Sequence, residues 1–314
     1  QVPVTALRVV AVSATIPNVS DIAAWVRAPP EGTFAFDASL RPVPLVHHVL
    51  GFPDASNQFL FHKGLDLRVV DVVRRFAEGR PTLVFCGSRK GTSQLAEVLT
   101  SQAAGRDPRQ SADEIVVPPR WIPGGTSSEF VTDPTHLHVL VSASLRCKDP
   151  ILRTVLRSGI AFHHAGLSAS DRHLVESLFR ERRIAVLATT TTLAVGVNLP
   201  AFLVIIKGTS VWRGAHQGGY QEMSRSALAQ MMGRAGRPQF DSKGIAVIMT
   251  ERKHRAKYES IASGVEVVES ALHTSIREHV GAEVALGTIT SLEDAMTWLR
   301  GTFLAVRAVK NPAR

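Results

Sequence analysis

Thr82-Leu83-Val84-Phe85-Cys86-Gly87-Ser88-Arg89-Lys90 sets the fold class of this chain. Five residues of apolar and β-branched character read as a buried strand, and Ser88 is placed to cap a helix running to about Thr100. The same step recurs downstream. Strands are expected near Leu137–Val141, then at Ile160–His163, Ile184–Ala188, Phe202–Ile206 and Gly244–Met249. Helices fall between them: Pro150–Arg157, closed by Gly159; one capped by Ser168 or Ser170 that runs to Arg182; and one beginning near Ser224. Repeated strand–helix units imply an α/β doubly wound parallel sheet with both faces covered.

Outward from that core the pattern changes twice. Upstream, Leu7–Val12 reads as a strand ending in Ser13-Ala14-Thr15, and Ser20 caps a short helix, Asp21–Arg27, that Pro29-Pro30 stops. Pro42–Phe52 reads as extended, and a helix is expected over Leu65–Ala77, ended by Gly79-Arg80-Pro81. Ser101–Pro134 breaks the rhythm and reads as an irregular insertion, in which Asp113-Glu114 is a solvated charge pair and not a metal site. After Thr250 the chain turns helical: Glu251–Ala262, Val267–His279, and Leu292 to about Val306, capped by Ser291 with Asp294. Met296, Leu299, Phe303 and Val306 are at core spacing in the last of these.

With 314 residues, 45% hydrophobic and 20% charged, the chain has enough material for two domains with cores of their own. No apolar run reaches the roughly 18 residues needed to span a bilayer, so no membrane partner is expected. The start, Gln1-Val2-Pro3-Val4, has neither Met nor a basic leader, and is expected to be an internal point of a longer chain. Cys86 and Cys147 are the only cysteines, too few for a disulfide framework or a cysteine-built zinc cluster. The net charge of +9 and pI near 10.1 favour a polyanionic partner, nucleic acid first.

Five stretches carry candidate chemistry. In Gln230-Met231-Met232-Gly233-Arg234-Ala235-Gly236-Arg237-Pro238, a helix from Ser224 would bring Arg234 and Arg237 to one face near its C-terminal end. Guanidinium groups there suit a triphosphate, and equally suit solvated charges at a helix C-terminus. Thr189-Thr190-Thr191-Thr192 offers hydroxyls at a strand's C-terminal end, where open α/β sheets bind ligands. His163-His164-Ala165-Gly166-Leu167 also ends a strand; adjacent side chains point apart, so His164 fits phosphate contact better than metal binding, and no metal site is expected. Gly87-Ser88-Arg89-Lys90 offers a helix N-terminus, a hydroxyl and two cations to a phosphodiester, or simply a helix cap. Thr209–Gln221 places Trp212 and Tyr220 about a Gly-rich tip, as a β-hairpin that stacks on bases or wedges a duplex, or as an irregular loop.

In this order the stretches resemble the motifs of superfamily two helicases. Ser13-Ala14-Thr15 looks like motif III, Thr82–Lys90 like motif IV, Ala188–Ala201 like motif V and Gln230–Pro238 like motif VI. His-His-Ala-Gly-Leu, Gly-Val-Asn-Leu-Pro (196–200) and Gln-Met-x-Gly-Arg-Ala-Gly-Arg-Pro are similar to the wording of the Ski-two-like group. The tail, with Val268-Glu269-Ser270 and Trp298-Leu299-Arg300-Gly301-Thr302-Phe303, looks like the winged helix of members with a Sec-sixty-three-type extension. Two departures stand out: Val195 where an aromatic or Arg is usual, and the threonine-rich 189–192 run.

The resemblance implies a RecA-like second helicase domain over 41–250, a remnant of the first over 1–40, and a mainly helical winged helix over 251–314. It implies ATP as cofactor, with Mg²⁺ held in a first domain whose phosphate loop and Asp-Glu-x-His are absent from this sequence; this part alone is expected to be inactive. It further implies Arg234 and Arg237 as catalytic arginines, and Gly196, Asn198, Gln230 and Gly233 near the nucleotide. Ser13 and Thr15 would couple nucleotide state to strand grip, while Arg89, Thr189, Thr190, His164 and Trp212 contact nucleic acid. The partner is expected to be DNA, single-stranded and at duplex junctions, unwound 3′ to 5′ in the nucleus during meiotic recombination. RNA, as in spliceosomal relatives, an alkylation-repair relative, and a non-catalytic binding module are the alternatives.

Overall fold

A computed structural model of the chain describes residues 8–13, 16–36, 40–105, 128–131, 133–191, 199–214, 216, 218–264 and 267–312. In chain order the elements begin with α1 (Val19–Val26), β1 (Leu45–Phe52), α2 (Gln58–Phe76), β2 (Thr82–Cys86) and α3 (Arg89–Ala103). Then come α4 (Pro134–Arg146), α5 (Pro150–Leu156), β3 (Ile160–His163), α6 (Ala169–Arg180), β4 (Val186–Thr190) and β5 (Leu203–Lys207). A two-stranded ribbon, β6 (Ser210–Trp212) and β7 (Tyr220–Glu222), precedes α7 (Arg225–Met232), β8 (Gly244–Glu251) and α8 (Arg255–Ala262). The last helices are α9 (Ile276–Ala285), α10 (Leu292–Arg300) and α11 (Phe303–Lys310). They form two compact units, Arg41–Ala262 and Gln1–Leu40 with Ser263–Arg314.

In the larger unit, six parallel strands run in the order β1-β8-β5-β2-β4-β3. The chain starts on one edge at β1, passes through α2 to β2, and reaches the far edge at β3. It then turns back through β4 and β5 to β8. Right-handed crossovers place the helices of the outward leg on one face and those of the return leg on the other. β2, from the outward leg, lies between β5 and β4 of the return leg, and the C-terminal ends of strands at such a switch point open a crevice. All five residues of β2, β4 and β5 are buried. They need the unbroken apolar runs that mark strands covered on both faces.

Several elements differ from expectation. Leu137–Val141 is helical, within α4, because Asp133 accepts from the Thr135 N–H at 2.9 Å and Pro134 occupies the first turn. Leu140, Ala143 and Ser144, at helical spacing, are its buried positions. α2 begins seven residues earlier than expected, capped by Asn57, whose side chain accepts from the Leu60 N–H. Residues 8–13 form no strand; no described strand pairs with them, and Val9, Val10 and Val12 stay exposed. Glu251 closes β8 instead of opening a helix.

Within the smaller unit, the helix expected over Val267–His279 is a single 3-10 turn at Leu272–Thr274 followed by α9. Ser270 Oγ accepts from the Leu272 N–H and Thr274 Oγ1 donates to the Ala271 carbonyl, local bonds that compete with helix growth. Leu292–Val306 is two helices, since Thr302 caps α11 by accepting from the Ala305 N–H. That break leaves Met296 43% exposed and out of the core role expected for it. Arg307 joins Asp21 of α1 to Glu269, and Lys310 also pairs with Asp21. Hydrogen bonding from Lys310, Asn18 and Arg307 outweighs burial and holds the Asp21 carboxyl down at about 2. Trp25 donates Nε1–H to the Gly301 carbonyl at 3.0 Å.

Candidate nucleotide and nucleic-acid site

At the C-terminal edge, Ser88 Oγ accepts from the Gly91 N–H at 3.0 Å and starts α3 at Arg89. The exposed Arg89 and Lys90 therefore stand in the first turn of a helix capped by Ser88, where the dipole favours anions. His164 lies beside Arg89. Burial and then the Arg89 charge push its imidazole below the ordinary value, so it stays neutral near pH 7. The Gly166 N–H donates to His164 Nδ1 at 3.1 Å, which assigns the ring proton to Nε2 as a donor.

The neighbouring groups are structural supports. His163 is buried, with Nε2 at 2.9 Å from Glu176 Oε1. Thr189 is fully buried, and its hydroxyl donates to the His163 carbonyl at 3.0 Å. Thr190, the last residue of β4, is buried as well, at 9% exposure. Of the threonines assigned to strand contact, then, Thr189 holds the crevice from beneath and Thr190 lies at the strand end. Among the described residues no three His, Cys, Asp or Glu side chains come together to hold a metal ion.

The hairpin exists: Ser210 pairs with Glu222 and Trp212 with Tyr220, antiparallel. The Trp212 N–H donates to the Gly87 carbonyl at 2.9 Å, tying it to the β2–α3 loop. Beneath it lies a group that sequence reasoning missed. Lys207, at the end of β5, is 2% exposed and ion-paired with Asp66 of α2. His62, one helical turn before Asp66, is 2.9 Å from Ser210 Oγ and stacks on Tyr220, with ring centroids 5.0 Å apart. Burial, then the Lys207 charge, pushes His62 down to about 4. Burial also pushes the Cys86 thiol up to about 12, so it stays protonated. Gly208 has φ +82°, and a Cβ there would lie 2.3 Å from the His62 ring. The signal was present in the sequence: His62 and Asp66 share the apolar stripe of α2 with Leu65 and Val69, and a lysine ends the apolar run Leu203–Ile206.

Arg234 and Arg237 lie at the other end of the sheet. α7, capped by Ser224, stops at Met232, so neither arginine is helical and the expected shared helix face does not form. Gly236 enforces the turn with φ +87°, where a Cβ would lie 2.6 Å from Val43. Ala201, just before β5, clamps the turn: its N–H donates to the Arg234 carbonyl at 3.0 Å and its carbonyl accepts from the Gly236 N–H at 2.7 Å. The two side chains then diverge in environment. Arg234 is partly exposed. Arg237 is buried, and its Nε and Nη2 each donate to Asp241 at 2.8 Å, while its backbone N–H donates to the same carboxylate at 2.9 Å. Arg80 adds a second cation to Asp241. Burial alone would raise the Asp241 carboxyl, but these donors hold it below the usual range. Gln230 and Gly233 are exposed. Ser13 is exposed; Thr15, Gly196 and Asn198 lie outside the described residues.

Residues 137–239 match the helicase conserved C-terminal domain, and residues 269–314 match a winged helix-turn-helix domain. The probable ATP-dependent DNA helicase HFM1 of Xenopus tropicalis is 43% identical over 311 residues, 98% of this chain and 21% of the relative. The ATP-dependent DNA helicase MER3 of Saccharomyces cerevisiae is 38% identical over 98% of this chain and 23% of its own length. Activating signal cointegrator 1 complex subunit 3 of Dictyostelium discoideum is 37% identical over 98% of this chain and 13% of its own length. The chain thus spans a quarter or less of the length of these relatives. A doubly wound parallel sheet, the motif order along it and a match over 98% of the residues agree, and the chain belongs to the Ski-two-like superfamily two helicases.

Proposed function

We propose that this chain is the second motor domain and winged helix of an ATP-dependent DNA helicase that moves 3′ to 5′ and opens duplex junctions. Two relatives bear the name ATP-dependent DNA helicase, and the net charge of +9 suits a polyanion. Nuclear work in meiotic recombination and crossover formation is part of the same proposal. The observation that carries the reading is the separation of two cationic sites by one strand. Arg234 is clamped beside the N-terminal end of β5, while at the C-terminal edge of the same parallel sheet Arg89 follows β2, His164 follows β3 and Thr190 ends β4.

ATP, when bound, supplies the phosphoanhydride whose hydrolysis drives movement. Arg234 fits it: a permanent cation on a backbone fixed from both sides, with Gly233 adding no side chain beside it. Arg237, engaged by Asp241, holds the turn that aims Arg234, and this narrows the paired role read from the sequence. Gln230, exposed on the last turn of α7, is available to an adjoining domain, and Ser13 with Thr15 would serve the coupling. The described residues do not fit Mg²⁺, whose ligands are assigned to carboxylates beyond this chain. At the opposite edge, Arg89, His164 Nε2–H and Thr190 grip backbone phosphates, giving affinity without sequence choice.

The test is unwinding by the full-length protein of 3′-tailed DNA and RNA duplexes. ATP-dependent opening of the DNA duplex alone is the expected result. Opening confined to RNA, or dependent on a 5′ tail, overturns the proposal.

A further inference from the structure

Between α2 and α3, at the C-terminal edge, lies a cleft of about 770 Å³. This is within the range of about 300–1,000 Å³ usual for small-ligand sites. Two exposed rings line it, Trp212 of the hairpin and Phe59 of α2, 46% and 54% exposed. The indole is held in place, edge-on to Tyr220 at 5.2 Å, and Tyr220 is in turn stacked on the buried His62. A ring fixed in this way loses little freedom when a flat partner stacks on it. Gln94 and Glu97 of α3 also line the cleft with an amide and a carboxylate, and the Asp66 carboxylate of α2, paired with Lys207, is a buried part of the lining. Lys63 and Lys90 line it too.

We propose that this cleft takes a single unstacked nucleobase from the strand held at Arg89. The proposal rests on the strand-binding reading above and adds a site that reading does not contain. The cleft is lined by Ser88 and Lys90, the residues on either side of Arg89, so a backbone gripped by Arg89 passes its mouth. A base bears a flat π-face, an edge of donors and acceptors, and a flanking phosphate. The indole and phenyl rings, the polar groups of Gln94 and Glu97, and the two lysines meet these three features in turn. Trp212 is part of the paired stem of the hairpin and not of its tip, so its ring serves the cleft rather than the end of a wedge. The site makes each register of the strand distinct: one base lies in the cleft while its neighbours stay stacked.

The test uses the full-length protein without ATP and a single-stranded DNA carrying one abasic site, moved a nucleotide at a time. Wild type should lose about tenfold in affinity at one position of the abasic site and little elsewhere. Trp212→Ala combined with Phe59→Ala should bind the intact strand about tenfold more weakly and show no position dependence, whereas Trp212→Phe should keep it. Arg89→Ala should weaken binding at every position while preserving the profile. A flat wild-type profile, with Arg89→Ala still weakening binding, overturns the base site and leaves the strand contact standing. A sensitive position that survives the double alanine variant also overturns it. No effect of Arg89→Ala removes the strand reading and the base site with it.

Discussion

At the N-terminal edge of the sheet, the Arg234–Arg237 turn is fixed by Ala201, Gly236 and Asp241. At the C-terminal edge, Arg89, Lys90 and Trp212 stand open over a buried layer of Thr189, His163, Lys207 and His62. Both edges combine buried polar groups with exposed cations, but in different proportions. One edge uses its network to hold a single arginine in a defined place. The other uses its network as a floor beneath a broad surface, the form that the proposed strand grip without sequence preference requires. Neighbouring residues of one motif therefore have different fates: Arg234 partly exposed and Arg237 buried, Thr190 at the strand end and Thr189 fully buried beneath it.

The largest expected effect separates Arg234 from its partner. In the full-length enzyme, Arg234→Ala should lower ATP turnover by about 10³ or more while leaving the thermal transition in place. Unchanged turnover would remove the phosphate role of that turn. Asp241→Asn should act through stability instead. It leaves the buried Arg237 without its counter-charge, at a cost of about 3–5 kcal/mol by denaturant unfolding. Because the Asp241 carboxyl is depressed, its contribution is present at neutral pH and is lost as pH falls below 3.8.

At the other edge the pH response has a different origin. His62 is held neutral, its imidazole down at about 4 against 6.5 when unfolded. Between those values the unfolded chain binds a proton that the folded one does not. Stability is thus complete above pH 6.5 and declines on acidification toward 4, by about 3 kcal/mol. His62→Gln should flatten that slope; a slope of unaltered size would mean that the floor is not protonation-sensitive at His62. The smallest effect divides the threonines. Thr189→Val should cost about 1 kcal/mol of stability and leave strand affinity nearly unchanged. Thr190→Val should weaken strand binding with little loss of stability, and the reverse pattern would invert the assignment.

Much of the scaffold was legible because its strands are buried on both faces. Continuous apolar runs announced β2, β3 and β5 to within a residue. Leu137–Val141 is helical against expectation because a five-residue stretch with four apolar positions is equally consistent with a strand or with the buried part of a helix, and Asp133-Pro134 decides the matter only when read as a cap. Arg89, His164 and Trp212 could be picked as candidates because charge, ring and glycine spacing mark an exposed loop. Lys207 and Asp66 show only as charges set in an apolar run and an apolar stripe, and neither pattern names a partner 141 positions away. Asp241 owes its place to burial against Arg80 and Arg237 that no local pattern reveals.

The sequence by itself determined that this chain makes a parallel α/β sheet with helicase motifs at its strand ends, because periodicity and residue chemistry are local. Only the tertiary structure decided which member of each motif faces outward. That choice depends on whether a buried counter-charge or carbonyl waits within hydrogen-bonding distance, as Asp241 does for Arg237 and His163 for Thr189.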